Sequence, residues 1–231
     1  MKRFYKAATV EAQAEGFRVM LDGRPLRTVG GRAQIVPGAA LAEGLAAEWA
    51  GQGEEIDPAA FLLRDLTDYA LDVVAAGKPG VIEELVPYGE TDTLCYRAEP
   101  DEALGMRQRA VWEPLLTAAE ARWEVRFVRV AGVIHKPQPA ETLARLRVEL
   151  GKLDVFTLAA LRTTAALAAS LVLGLKALEP GAEIEALWDA ANLEEDWQAE
   201  LWGKDDEALE RRARRHAAFA AAARFAALAR G

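Results

Sequence analysis

The segment of residues 192–205, NLEEDWQAELWGKD, places polar side chains where a helix should be apolar. At about 100° per residue, its large apolar residues fall within roughly half of the helix circumference; they are Leu193, Trp197, Leu201 and Trp202. Glu194 and Gln198 fall inside the same arc. A carboxylate and a carboxamide at half-buried positions can hold another polar group by hydrogen bonds.

The other charges of this segment already form its solvated face. Glu195, Asp196 and Glu200 fall on the opposite side of the predicted helix. Glu194 and Gln198 therefore need a different explanation, and a half-buried acid needs a partner. That partner lies either inside the fold or on another molecule, and both can hold at once.

Side chains typical of enzyme active sites are scarce elsewhere. Ser170 is the only serine and lies in an apolar helical stretch, where it is typical of close helix packing and not of a nucleophile. The only histidines, His135 and His216, are far apart in sequence and lack the spacing of a zinc site. The chain has no glycine-rich phosphate loop. We therefore expect no catalytic residues, no cofactor and no resident metal.

One carboxylate row supports a rival hypothesis. Asp65, Asp68 and Asp72 share a helical face and could bind a hard cation, as could Glu83 and Glu84. These ligands would suit a metal-dependent hydrolase. A solvated acidic face explains the same spacing and is favoured.

Composition limits the class of protein. The 231 residues are 52% hydrophobic, which predicts a folded globular chain with a substantial core. A net charge of −8 argues against nucleic acid as a partner, because such binding needs a basic surface. The single cysteine, Cys95, excludes an intrachain disulfide and fits a reducing compartment.

The sequence also shows no pattern typical of a targeting signal or a membrane-spanning segment. The first residues lack the apolar core of a secretory signal and are not rich in arginine and serine, so they predict structure and not a leader. The longest uncharged run, residues 163–175, is shorter than the roughly 20 residues that span a bilayer. We predict a cytoplasmic protein without stable membrane insertion.

The N-terminal residues alternate as strands do. Phe17 to Leu21 alternate in polarity, Asp22-Gly23 signals a tight turn, and short strands are predicted over 24–28 and 33–36. Residues 2–6 are predicted as an edge strand. Together these segments predict a small antiparallel meander.

Helical patterns dominate the remainder. Amphipathic segments are predicted over 41–52, from Asp57-Pro58 to Gly77, from Pro100 onwards, and over 138–150, 154–178, 181–201 and 205–230. Residues 123–130 are the one strand candidate in the second half, which could extend the N-terminal sheet. The predicted class is α+β, with a small antiparallel β-rich N-terminal domain (1–56) followed by a larger all-α helical bundle domain (57–231).

Several stretches, taken together, resemble a family of chaperones that assemble the soluble head of ATP synthase, the ATP-twelve family dedicated to its α subunit. The resemblance covers nearly the whole chain and rests on six stretches in the family's order: KRFYK (2–6), LDGRPLRT (21–28), LAEGLAAEWAGQ (41–52), TDTLCYR (91–97), QRAVWEPL (108–115) and LEEDWQAELWGKD (193–205). The chain departs from the pattern at Val29, where the family has proline, and at 61–63, where it has a Met-Pro turn.

The resemblance implies a β-rich domain joined to a helical domain, no enzymatic activity, and transient binding of the new α subunit before it pairs with β. It also implies that the acidic motif is functionally sensitive, with Glu194 in the place of its leading glutamate and Glu195 as the alternative. The family occurs in mitochondria and related bacteria, and the missing presequence favours a bacterial cytoplasmic member.

These arguments give one functional hypothesis and its rivals. We expect the partner-binding residues to be Glu194 or Glu195, Gln198 and Trp202, with Trp49 and Asp92 as further candidates. The partner is the unassembled α subunit, and the chain is expected to be a monomer. The rivals are the metal-dependent hydrolase and a generic scaffold with another client.

Overall fold

The computed structural model describes residues 1–132, 134–203 and 206–231. They form two compact units. The sheet-containing unit consists of Met1–Lys78, Asp154–Ala160 and Ala221–Gly231, and the helical unit consists of Pro79–Leu153 and Leu161–Ala220. An N-terminal antiparallel sheet followed by helices confirms the predicted α+β class. The domain boundary between residues 56 and 57 stays a prediction, because compactness does not test which segment folds by itself.

The sheet is an antiparallel meander in the first 36 residues. Its strands are β1 (Ala8–Gln13), β2 (Gly16–Leu21), β3 (Arg24–Pro25) and β4 (Ile35–Val36), and β2 pairs with each of the others. Asp22 and Gly23 both have positive φ, 47° and 80°, which is the geometry of a type I′ turn. Residues 2–6 form no edge strand, since only Lys2 bridges to Glu55.

The first helix packs on this sheet. Helix α1 (Ala39–Ala50) buries Leu41, Leu45 and Trp49, as its predicted amphipathic pattern requires. A Cβ at Gly44 would lie 2.9 Å from Leu63 Cδ1, so the glycine lets the Leu63 side chain pack closely on α1. The sheet-containing unit therefore has its own apolar core.

The next helical stretch is interrupted. A 3-10 turn (Pro58–Ala60), whose N-cap Asp57 accepts a hydrogen bond from Ala59 N, precedes α2 (Leu62–Tyr69). A π-helical segment (Ala70–Val74) leads into α3 (Ala75–Leu85). The predicted end of the helix at Gly77 is confirmed, because Gly77 leaves the helical conformation at φ −147° and ψ 40°; a second helical stretch then continues past Pro79. Proline is tolerated there because it opens a new turn.

The helical unit contains most of the remaining elements. They are α4 (Pro87–Glu90), a 3-10 turn (Thr93–Cys95), β5 (Tyr96–Arg97), α5 (Ala103–Trp123), β6 (Val130–Ala131), α6 (Ala140–Gly151), α8 (Leu171–Ala177), α9 (Ile184–Ala191) and α10 (Leu193–Trp202). The predicted strand over 123–130 was wrong, because α5 runs to Trp123 and only Val130–Ala131 is strand. That strand pairs in parallel with β5 and does not extend the N-terminal sheet.

Two helices belong partly to each unit, and two predicted helices are split: 154–178 into α7 (Val155–Ala168) and α8, and 181–201 into α9 and α10. The helices α7 and α11 (Asp206–Arg230) contain the chain positions at which the units divide. The predicted helix over 154–178 breaks at Ala169, where φ is +47°. The buried Ser170 then caps α8 by accepting a hydrogen bond from Leu173 N. The predicted start of α11, Asp205, lies outside the described residues.

No helix in the described part of the chain is both long enough and apolar enough to span a bilayer.

Candidate protein-interaction surface

Helix α10 is covered at its start and exposed at its end. Leu193 is buried and Trp197 is half-buried, whereas Leu201 is 58% exposed and Trp202 is 78% exposed. The apolar arc predicted from the sequence is therefore covered only in its first turns. Burying two such side chains on a partner would remove a large apolar area from water, which favours association.

Glu194 has a partner inside the fold and is still open to solvent. Its Oε1 accepts a hydrogen bond of 2.5 Å from Gln108 Nε2 of α5. The residue is exposed overall. Desolvation around the carboxyl raises the pKa of Glu194, and the hydrogen bond from Gln108 opposes that rise. The structure is thus compatible with both alternatives for the partner of Glu194. The carboxylate has a hydrogen-bond partner inside the fold, and it is also accessible to another molecule.

Gln108 is a buried connector. Its side chain is fully buried, and its Oε1 accepts a hydrogen bond of 2.8 Å from Ala98 N. The carboxamide therefore uses its acceptor on the backbone and one donor on Glu194. This arrangement fixes the start of α10 against α5.

Two ion pairs hold the rest of α10. Arg107 of α5 donates to both oxygens of Glu200, at 2.6 and 2.9 Å. Arg212 of α11 donates to both oxygens of Asp196. Paired forks of this kind fix geometry as well as charge. The exposed end of α10 is thus presented on a positioned helix.

Other carboxylates near α10 are held only loosely. Asp189 lies 3.9 Å from Arg212, and its side chain is 72% exposed. Glu195 lies 4.0 Å from Arg215, at the outer limit of an ion pair, with its side chain 48% exposed. Gln198 is also exposed. These groups keep acceptors available to a partner.

A groove adjoins this helix. It has a volume of about 890 Å³, and its exposed apolar lining includes Val111, Trp202 and Leu209. Its charged lining comes from α5, α9, α10 and α11. An apolar centre with a polar rim is the usual make-up of a protein-binding surface.

The two further candidates lie in buried environments. Trp49 is 7% exposed and packs between Tyr5 and Phe61, with ring centroids 5.5 and 4.5 Å away. Asp92 is fully buried. Neither side chain is presented at the surface of its unit, and their predicted role in partner binding stays a prediction.

Asp92 uses its carboxylate on the backbone. Its Oδ1 accepts from Leu94 N at 3.1 Å and its Oδ2 accepts from Val172 N at 3.0 Å. Burial raises the pKa of Asp92 to about 6, because the desolvated charge is costly despite these hydrogen bonds. The residue joins the 3-10 turn after α4 to the start of α8.

The carboxylates of the hydrolase hypothesis are engaged in the fold. Asp68 accepts from Gln34 Nε2 at 2.6 Å and from Val29 N at 3.1 Å. Asp72 accepts from Thr28 Oγ1 and from Gly30 N, both at 2.8 Å. Asp65 pairs with Arg64, Glu83 with Arg147, and Glu84 lies 3.7 Å from Arg162. Over residues 1–132, 134–203 and 206–231, no three His, Cys, Asp or Glu side chains are grouped to hold a metal ion.

Sequence reasoning missed most residues that surround α10. They are Arg107, Gln108, Val111, Asp189, Leu209 and Arg212. One signal was available for Gln108: it lies three residues after Gly105 and four before Trp112 in the buried stripe of α5. A lone amide in an apolar stripe indicates a specific polar partner. The others come together only through tertiary packing.

Known proteins resemble the chain over most of its length. The model of the family described as ATP12 chaperone protein matches residues 2–120, more than half of the chain. The mitochondrial protein atp12 of Schizosaccharomyces pombe is 26% identical over 221 residues, covering 90% of this chain and 76% of that one.

Solved structures extend the likeness to the whole fold. Atp12 from Paracoccus denitrificans is 36% identical, with a TM-score of 0.92 over 99% of this chain and 98% of that one. The Atu1473 protein from Agrobacterium tumefaciens is 40% identical, with a TM-score of 0.92 over 98% of this chain and 85% of that one. The family model ends at residue 120, before α10, but these structures align with α10 as well. The resemblance inferred from the six sequence stretches is confirmed, and the chain belongs to the ATP12 chaperone family.

Proposed function

We propose that this ATP12-family chaperone binds the unassembled α subunit of the ATP synthase soluble head and prevents its aggregation until it pairs with β. The observation that carries this proposal is the pair of exposed apolar side chains, Leu201 and Trp202, at the end of a positioned acidic helix. A free α subunit exposes apolar surface that its neighbours later cover, and such surface drives aggregation. Covering it reversibly requires binding and no chemical step.

The proposed client surface consists of the exposed polar residues of α10 together with its last tryptophan: Glu194, Glu195, Gln198 and Trp202. Trp202 supplies the apolar anchor, and tryptophan is enriched among residues that dominate binding energy. The polar groups set the register of the client on this anchor. Trp49 and Asp92 are left outside the surface, because both are buried.

Positioning of α10 favours reversible binding. The pairs Arg107–Glu200 and Arg212–Asp196 order the helix before the client arrives. A preorganised surface loses less conformational entropy on binding. Displacement by the β subunit requires the affinity of the chaperone to stay below that of β. We propose that the chain acts as a monomer without enzymatic activity, in the cytoplasm of a bacterium.

Reversal of one charge tests the proposal. The purified α subunit is diluted from denaturant with or without the chaperone, and aggregation is followed by light scattering. The unchanged chaperone is expected to suppress scattering, and Glu194→Lys is expected to abolish that suppression because it repels a client group that faces the acid. The melting temperature should fall only modestly, because Gln108 Nε2 loses its acceptor but the rest of α10 stays held by its ion pairs.

A matched reversal controls for charge alone. Glu43 is an exposed glutamate within α1 of the sheet-containing unit, so Glu43→Lys changes the net charge equally and should leave protection intact. Equal loss of protection in both variants would overturn the assignment of the client surface to α10. A loss of several kcal/mol of stability in Glu194→Lys would instead assign Glu194 a structural role.

Capture from the native cell extract tests the identity of the client. The α subunit should be the dominant protein retained by the immobilised chaperone and should be lost with Glu194→Lys. Retention of a different protein, with the α subunit absent, would favour the scaffold hypothesis.

A further inference from the structure

The groove beside α10 continues along the whole exposed side of α5. Three depressions of about 890, 460 and 380 Å³ adjoin one another in that order. The first two share Val111 and Ala186, and the last two share Pro114 and Leu115. Together they extend from Arg107 to Arg122, about 22 Å at the rise of an α-helix.

The residues of α5 that line this groove form a second stripe. Val111, Pro114, Leu115 and Ala118 follow i, i+3, i+4 and i+7 spacing and are exposed or half-buried. The other stripe of α5, which includes Trp112 and Leu116, is fully buried. A surface helix needs only one apolar stripe to hold it in the fold, so the second stripe is available for a partner.

Charge differs between the two ends of the groove. At the α10 end, Arg107 and Arg212 are each held by both oxygens of a carboxylate, while Asp189 and Glu195 stay loosely paired. That end therefore offers two carboxylates to a cation on a partner.

The other end offers no comparable acid. Glu179 is its one lining carboxylate among the described residues, and it is bonded by both Arg122 and Lys176. The middle depression is also lined by Glu183, so the end at Arg122 is the one without a loosely held acid, and this difference can fix the direction of a bound segment.

We propose that this groove binds an amphipathic helical segment of the client, about four turns long, with a lysine or arginine facing Asp189 and Glu195. The inference rests on the proposed function and adds the form and charge of the segment that is recognised. The lining of the groove comes from helices and the residues that connect them, so an incoming helix can pack its ridges between them. The client's apolar side chains cover the second stripe of α5.

Filling the groove at the junction of its first two depressions and at its end far from α10 tests its length. Ala118 and Ala186 are exposed groove residues, and tryptophan at either position would occupy the space of the bound segment. Ala110 is an exposed alanine of α5 outside the groove lining and provides the matched control. The affinity of each variant for the purified native α subunit is measured by biolayer interferometry. Ala118→Trp and Ala186→Trp should each weaken binding about tenfold or more, and Ala110→Trp should not.

The outcomes separate this inference from the proposed function. If the unchanged chaperone does not bind the α subunit, the proposed function fails. If it binds, Trp202→Ala weakens binding and Ala118→Trp does not, the client surface is confined to α10 and the groove inference is overturned.

Neutralising the acidic end tests the charge of the segment. The double variant Asp189→Asn with Glu195→Gln should weaken α-subunit binding several-fold at low salt and should reduce the dependence of the affinity on salt. An unchanged salt dependence, measured with a variant that melts like the unchanged chain, would overturn the assignment of a cation to this end.

Discussion

Two rows of helical carboxylates differ in what their oxygens contact. Asp68 and Asp72, in the sheet-containing unit, accept hydrogen bonds from the loop that follows β3. Asp189 and Glu195, in the helical unit, lie near the limit of ion-pair distance and leave most of their surface in water. In the sequence all four are acids within helical patterns, although Asp68 and Asp72 share one helical stretch and Asp189 and Glu195 lie on α9 and α10. The comparison teaches that the spacing of acids identifies a helical face but not its use.

The neighbours of each row explain its role. Around Asp68 the partners are the side-chain N–H of the buried Gln34 and the backbone N–H of Val29, both within the fold. Glu195 lines the same groove as the exposed Trp202 and Leu209. Available acceptors beside exposed apolar surface are the features of a binding site, whereas acceptors bonded to backbone stabilise a loop.

Removal of Asp68 gives the largest expected effect on this comparison. Asp68→Ala leaves Gln34 Nε2 and Val29 N without their acceptor, so we expect a loss of about 2 kcal/mol in the free energy of unfolding. The affinity of the remaining folded protein for the α subunit should not change. Urea unfolding and a binding titration measure the two quantities. If the fully folded Asp68→Ala protein bound the α subunit more weakly, Asp68 would contribute to binding and not only to stability.

Removal of Trp202 should weaken binding of the α subunit and leave the stability of the chain almost unchanged. Trp202→Ala is expected to weaken binding of the α subunit by about 1–2 kcal/mol because an exposed aromatic anchor is lost. Stability should stay within about 0.5 kcal/mol, since the side chain is 78% exposed. Titration calorimetry and thermal melting distinguish these effects. A large drop in melting temperature with unchanged affinity would reverse the assignment.

A buried carboxylate should also be visible in the pH dependence of stability. The pKa of Asp92 is about 6 in the folded protein, above its ordinary value of 3.8, so folding favours its neutral form. Stability from this group therefore increases as the pH falls from 7 to 5, by about 1 kcal/mol. Asp92→Asn removes the titrating group and should remove this slope. Urea unfolding at pH 7, 6 and 5 measures the difference between the two proteins, and identical slopes would contradict the prediction.

Neutralising Glu195 alone should give the smallest change. Glu195→Gln keeps the size of the side chain and is expected to weaken α-subunit binding by about 0.5 kcal/mol or less, because exposed charges contribute little individually. The effect should vanish at high salt. Binding measured at two salt concentrations checks this outcome. An effect as large as that of Trp202→Ala would make the acid, and not the tryptophan, the principal anchor.

Local rules predicted much of the fold. The turn at Asp22-Gly23, the cap at Asp57 and the amphipathic pattern of α1 follow from conformational preference and periodicity, which act between residues close in sequence. The same rules misread residues 123–130, because alternation alone does not say which strand is available for pairing. They also missed the break at Ala169, whose left-handed conformation has no sequence signal of the kind that glycine provides.

The sequence by itself determined the class of fold, the family resemblance and the acidic helix that ends in Trp202. Only the tertiary structure decided which acids are bonded within the fold, that Gln108 meets Glu194 from 86 residues away, and that one side of α5 stays uncovered. The physical reason is that propensity and periodicity are properties of neighbouring residues. Burial and hydrogen-bond partners depend on which distant surfaces pack together.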